Sequence, residues 1–174
     1  MSEITNYWEE IKWIFEPDGA LRDIYVKNIN IEDWEKLIDF LNENHTIKFG
    51  TTSENKDINK IDKEYITKLL VDETKEMECK TASIIIEKII INTHFFYNKE
   101  IEFDIDPKEI NSIYNFERLV NFMNDISRIL SQKVILTGEN QIDFPLVEVD
   151  FENKFIKSLT QKEAEKLWDW SYKK

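Results

Sequence analysis

Carboxylates alternate with apolar side chains in two stretches of this 174-residue sequence. Glu100, Glu102, Asp104 and Asp106 interleave with Ile101, Phe103 and Ile105, and Glu148, Asp150 and Glu152 with Val147, Val149 and Phe151. A spacing of two puts the acids on one face of a β-strand and the apolar groups on the other. Were the two strands neighbours, their carboxylates would share a sheet face, and like charges directly opposed cost roughly 0.2–1 kcal/mol per pair. Such a face suits a cation. It could dock a basic protein, with complementary potential giving on-rate and specificity. Alternatively, Asp104, Asp106 and Asp150 could hold a hard cation such as Mg²⁺ for hydrolytic or transfer chemistry. The plainest alternative is an exposed strand face in contact with water.

A further acidic concentration lies near the start of the chain. From Glu9 to Glu43 there are ten acidic and four basic residues, so half of the formal charge of -12 is gathered there. Trp8, Trp13 and Tyr25 stand beside Glu9, Glu10, Glu16 and Asp23. Tyr and Trp are favoured interface anchors, although rings at such positions also fill cores. The candidate partner-binding residues are therefore Trp13, Glu16, Asp23, Tyr25, Glu102, Asp104, Asp106, Glu148, Asp150 and Glu152. A charge of -12 repels phosphate backbones and acidic lipid surfaces, so the expected partner is a basic protein, with no nucleic acid and no membrane.

Several chemistries lack their residues. The three glycines, Gly19, Gly50 and Gly138, are isolated, so no glycine-rich loop can cradle a phosphate, and no serine sits in a nucleophile elbow. Cys79 lies in a charged run without a neighbouring histidine, and as the only cysteine it forms no intrachain disulfide, which suits a reducing, cytoplasmic setting. His45 and His94 lack a metal-type partner at helical or hairpin spacing. His45 falls at a helix C-terminus, where a partly positive ring suits the dipole. His94, followed by Phe95, Phe96 and Tyr97, reads as a packed or rim residue. No cofactor or metal is assigned. The N-terminus has no apolar leader, and the longest apolar stretch, 84–91, is interrupted by Glu87 and Lys88 and too short to span a bilayer.

The elements that must position these residues follow from periodicity and turn chemistry. Trp8–Phe15 and Leu21–Lys27 read as a hairpin around Pro17-Asp18-Gly19. Asn30 caps a helix to about Asn44, with Ile31, Trp34, Leu37, Ile38 and Leu41 on one side, and a strand follows at 46–52. Residues 53–62 read as a loop and 62–71 as a short helix. The β-branched run 81–97 predicts one central strand covered on both faces. A strand at 100–106, a helix at 115–131 and strands at 134–137, 145–151 and from Phe155 come next. Thr160 and Glu163 form a capping box for a terminal helix bearing Leu167, Trp168 and Trp170. The order hairpin–helix–strand thus occurs twice, over 8–52 and 85–137. The expectation is one α+β domain over 1–174, its largely antiparallel sheet carrying helices on one face.

The segment Ile11-Lys12-Trp13-Ile14-Phe15-Glu16-Pro17-Asp18-Gly19, continuing through Leu21-Arg22-Asp23-Ile24-Tyr25-Val26, is similar to small bacterial proteins. Size, acidity and the missing catalytic motifs together resemble the immunity proteins of bacterial toxin systems. The resemblance covers the character of the whole chain. It implies a non-enzymatic protein that neutralises a basic toxin by covering the cationic groups the toxin uses to hold its substrate. A metal-dependent hydrolase or transferase using clustered carboxylates stays open beside it, as does a structural or regulatory module self-associating through the aromatic N-terminal segment.

Overall fold

The computed structural model describes residues 3–51 and 58–171, and only the backbone at 3–6 and 168–171. The first half of the predicted loop at 53–62, residues 53–57, therefore lies outside the described residues, as do the side chains of Trp168 and Trp170. In chain order the elements are α1 (Glu3–Ile11), β1 (Arg22–Lys27), α2 (Ile31–Asn44), β2 (Thr46–Gly50), α3 (Lys63–Leu70), β3 (Thr81–Ile86), β4 (Ile89–Thr93), β5 (Glu100–Ile105), α4 (Ile113–Leu130), β6 (Val134–Gly138), β7 (Pro145–Asp150), β8 (Phe155–Ser158) and α5 (Gln161–Ser171).

Strict alternation decides how β5 sits: Ile101, Phe103 and Ile105 are fully buried, while Glu100, Glu102 and Asp104 keep partial access to solvent. Its antiparallel register with β1 pairs Phe103 with Ile24 and Ile101 with Val26, which continues the apolar face. The same parity runs through the whole eight-stranded sheet, in the order β2-β3-β4-β5-β1-β6-β7-β8 with every pairing antiparallel. Helices α2 and α4 contact each other on this apolar face, where Trp34, Leu37, Ile38 and Leu41 meet Leu119, Met123 and Ile126 in one core. The fold is α+β, as the residue pattern predicts. Strands β1 and β2 are joined through α2, and β5 and β6 through α4. The two crossovers run in opposite directions from antiparallel starting strands, so one hand of crossover lays both helices on the same face.

Three expectations are corrected. Trp8–Phe15 is not a strand: α1 runs into a 3₁₀ turn at Lys12–Phe15, so the N-terminal hairpin and the first hairpin–helix–strand unit are absent. Aromatic content suggested a strand, but Trp8, Ile11 and Phe15 are spaced by three and four, and that helical period turns Ile11, Ile14 and Phe15 into the core. Residues 81–97 are a hairpin instead of one long strand. Glu87 adopts φ +55° and, with Lys88, turns the chain between paired Ile86 and Ile89. Among the described residues no second layer of helices covers the other face of this hairpin; Ser83 and Asn92 there bond to one another.

Arg22 joins the N-terminal segment to the sheet. It is 5% exposed, and its Nε donates to the Ile14 carbonyl at 2.6 Å. Its Nη2 donates to the Glu16 carbonyl at 3.1 Å and to Asp18 at 3.2 Å, and Nη1 also reaches Asp18. The hydrogen bond from Arg22, then that from the Ala20 N–H, hold the Asp18 carboxyl below its ordinary range. Replacing Arg22 with Met strands the buried Ile14 carbonyl and removes the bonds to Glu16 and Asp18. The expected loss is about 2–4 kcal/mol, read as a lower urea midpoint at unchanged m-value. A loss below about 0.5 kcal/mol, usual for surface changes, contradicts this role.

Candidate protein interface

The face of the sheet opposite the helices is polar at its centre, and the β1–β5 register makes it so. Asp23 lies across from Asp104, Tyr25 from Glu102, and Lys27 from Glu100. The next pairs outward are Asn92 with Asp104 and Ser83 with Asn92. A hydrogen-bond chain ties them together. Ser83 Oγ donates to Asn92 Oδ1 at 2.8 Å, and Asn92 Nδ2 donates to Asp104 Oδ1 at 3.0 Å. Asp104 Oδ2 meets His94 Nε2 at 2.7 Å, and His94 Nδ1 meets Thr81 Oγ1 at 2.9 Å. An Nε2–H directed at Asp104 leaves Nδ1 to accept the Thr81 hydroxyl. Both Asp104 oxygens are thereby engaged.

Asp23 is buried, and accepts the Tyr25 hydroxyl at 2.9 Å and the Asn140 backbone N–H at 2.7 Å. Burial, with the nearby Asp104 and Glu139 charges, raises its carboxyl above the ordinary range despite those bonds. Tyr25 is 5% exposed, and its phenol is pushed up by burial and by the bond to Asp23. Glu102 differs from both: it has no hydrogen-bond or ion-pair partner among the described residues. Burial first, then the Asp23 and Glu100 charges, raise its carboxyl, with His94 acting in the opposite sense.

The second acidic strand belongs to the same face but not to the same cluster. β5 and β7 are separated by β1 and β6, so Glu102 and Asp104 do not neighbour Glu148 and Asp150. The latter pair is compensated: Glu148 accepts Lys133 Nζ at 3.0 Å and lies across from Lys157. Asp150 accepts the Asn153 side-chain amide at 2.8 Å and its backbone N–H at 3.1 Å, bonds that hold its carboxyl low. Glu152 is exposed in the turn before β8. Asp106 caps the short turn at Pro107–Glu109 by accepting the Lys108 N–H. The alternative Mg²⁺ triad of Asp104, Asp106 and Asp150 therefore does not converge. Among the described residues no group of three or more His, Cys, Asp or Glu is arranged to hold a metal. Of the N-terminal candidates, Trp13 is half-buried with its Nε1 donating to the Leu159 carbonyl, and Glu16 is exposed.

An exposed aromatic side chain borders the acidic centre. In the β4–β5 connection Phe95 adopts φ +57°, an uncommon region for a bulky side chain. That conformation turns Phe95 inward against Trp34 and Phe49, and leaves Phe96 and Tyr97 outside at 56% and 60% exposure. Trp34 Nε1 donates to the Tyr97 carbonyl at 3.0 Å, which fixes the connection from below. Phe96 stacks on His94 at a centroid distance of 5.3 Å, so it stands on the open face beside Asp104. Three consecutive aromatics between two strands were the available signal, since they cannot all point inward. His45 is also corrected: its ring is wedged edge-on between Phe40 and Phe122, and burial lowers its pKa, which disfavours the cation expected at a helix end.

Fold and site together define an antiparallel α+β protein with one helix-covered face and one open, acid-centred face. No helix of the described residues is long and apolar enough to cross a membrane. No protein-family model matches the chain, and no curated protein matches it. Among solved structures it is similar to a chain from a crystal structure of the toxic C-terminal tip of CdiA from Pseudomonas aeruginosa in complex with immune protein. The identity is 12%, the TM-score 0.42, and the match covers 74% of this chain and 94% of that one. A likeness at that level carries nothing about function.

The raised carboxyl of Glu102 has a consequence for stability. A carboxyl titrating higher in the folded than in the unfolded chain stabilises fully below its unfolded pKa, and that contribution is lost as pH rises through the folded value. Glu102→Gln should therefore be more stable than wild type at pH 7, by a few tenths to about 1 kcal/mol given its partial exposure. The advantage should fade as pH falls through the folded carboxyl range to the unfolded one near 4.5. Denaturation at a series of pH values measures it, and a variant less stable at pH 7 contradicts the repulsion.

Proposed function

We propose that this chain is a non-enzymatic binding protein whose open sheet face docks a basic partner. The observation that carries the proposal is Glu102: a partly buried carboxylate at the middle of a sheet face, next to Asp23 and Asp104, with no ion-pair partner among the described residues. A cationic side chain from a partner supplies what the fold withholds. Phe96, exposed and stacked on His94, provides apolar contact near that charge. Asp23 and Tyr25, being buried, act through field and support instead of direct contact. The finer reading is an immunity or inhibitor protein whose partner is a toxin, with this face covering the groups that grip the toxin's substrate. That reading rests on the acidic, motif-poor character of the sequence.

Charge reversal at two places on the same face tests the proposal. Glu102→Lys should weaken capture of a basic partner from the producing cell by about 10–100-fold, or ~1.4–2.7 kcal/mol. Glu148→Lys, at a site already neutralised by Lys133, should stay within about threefold of wild type. Wild-type binding should also fall steeply as salt rises, since screening lengths drop below about 8 Å above physiological ionic strength. Equal loss in both variants, or binding indifferent to salt and to Glu102→Lys, overturns it.

A further inference from the structure

The two outer strands of the sheet are finished differently. At one end, β2 is partly covered: the Phe49 N–H donates to the Ile58 carbonyl at 2.8 Å, and Lys48 is exposed on the strand. At the other end, β8 pairs only with β7, and no described strand meets its outer N–H and C=O groups. The side chains there are apolar on both faces. Phe155, across from Asp150, belongs to the open face and is 40% exposed; Ile156, across from Val149, belongs to the helix face and is 54% exposed. Phe151 in the preceding turn is 42% exposed. Ile156 borders a groove of about 520 Å³ between the C-terminal half of α4 and the β7–β8 turn, lined also by Asn124, Arg128 and Ser131. A free edge with exposed apolar groups is a template for another strand.

Charge selects the occupant. Residues 151–166 contain four lysines and three glutamates, so this edge is close to neutral in a chain of formal charge -12. Lys157 lies across from Glu148 and 3.9 Å from Glu163. A basic protein finds no attraction here, whereas two copies of an acidic chain meet least repulsion here. We propose that β8 pairs antiparallel with β8 of a second copy about a two-fold axis perpendicular to the sheet, extending one sheet through two molecules.

The side chains select the register. A perpendicular two-fold keeps each face continuous, so open-face residues must meet open-face residues. Centring on Ile156 places it against Ile156 of the second copy and sets Phe155 against Lys157 twice, as an aromatic–cation pair. Centring on Lys157 would oppose two lysines. Centring on Phe155 would place Ile156 against Lys154, whose φ of +50° takes it out of extended conformation. Of these three registers, the Ile156-centred one pairs extended residues without like charge. The contact is a short one and belongs among the smaller interfaces, with a Kd of about 1–100 μM.

Analytical ultracentrifugation over a concentration series should show a species of twice the 20.9 kDa chain mass. Ile156→Lys, which places two ammonium groups on the axis, should remain monomeric with an unchanged circular dichroism spectrum. Glu102→Lys should leave the dimer intact, which separates this surface from the basic-partner face. Ile156→Cys in a Cys79→Ser background should crosslink to a disulfide dimer on mild oxidation. Ile90→Cys, also solvent-exposed but on β4, should not. A wild-type monomer at concentrations about tenfold above that Kd range, or a dimer in which Ile156→Cys does not crosslink, overturns the proposal.

Discussion

The antiparallel register of β1 against β5 is the constraint on which both faces of this protein depend. It sets Ile24 beside Phe103 and Val26 beside Ile101, which roots the helix-covered core. The same register sets Asp23 beside Asp104 and Tyr25 beside Glu102 on the other side. A slip of one residue would carry every one of these groups to the wrong face. The core therefore specifies the acid cluster: burying Ile24, Val26, Ile101 and Phe103 obliges the intervening carboxylates to gather at the middle of the open face.

The molecule tolerates that gathering by treating each carboxylate differently. Asp104 is shared between Asn92 and His94, and Asp23 between a phenol and a backbone N–H. Glu148 and Asp150, two strands beyond β1, have Lys133 and Asn153. Of these, Glu102 has neither a donor nor a cation among the described residues. The face is thus largely satisfied, with Glu102 at its centre left unpaired among the described residues. Preorganised aromatics beside it reduce the ordering cost of association, because Phe95 and the Trp34 hydrogen bond already hold the β4–β5 connection.

Much of this was legible in the sequence wherever one period dominated. The alternation at 100–106 gave the correct faces of β5, and the stripe from Phe116 to Leu130 gave α4. The Asn30 cap is present with its reciprocal Asp33 bond, as is the Thr160–Glu163 pair before α5. Sequence reasoning failed where composition and period disagreed. Trp8–Phe15 is aromatic yet spaced as a helix, and Glu87-Lys88 is a turn without glycine or asparagine. For the candidate site, alternation showed which carboxylates share a face but not the strand order that separates β5 from β7. Nor could it show that Lys133 neutralises Glu148, or that Tyr25 is buried while Phe96 is exposed. Those facts are set by pairing between strands distant in the chain.

The central claim is that a basic partner seats on the Glu102 side of the open face. Photocrosslinking in the producing cell tests it most directly, with a benzophenone side chain replacing Phe96 on that face or Tyr114 on the first turn of α4. Both sites are exposed, so reactivity alone does not distinguish them. The account predicts a crosslinked adduct with a basic polypeptide from position 96, abolished by Glu102→Lys, and none from position 114. Equal adducts from both positions, or an adduct at 96 that survives Glu102→Lys, would contradict it.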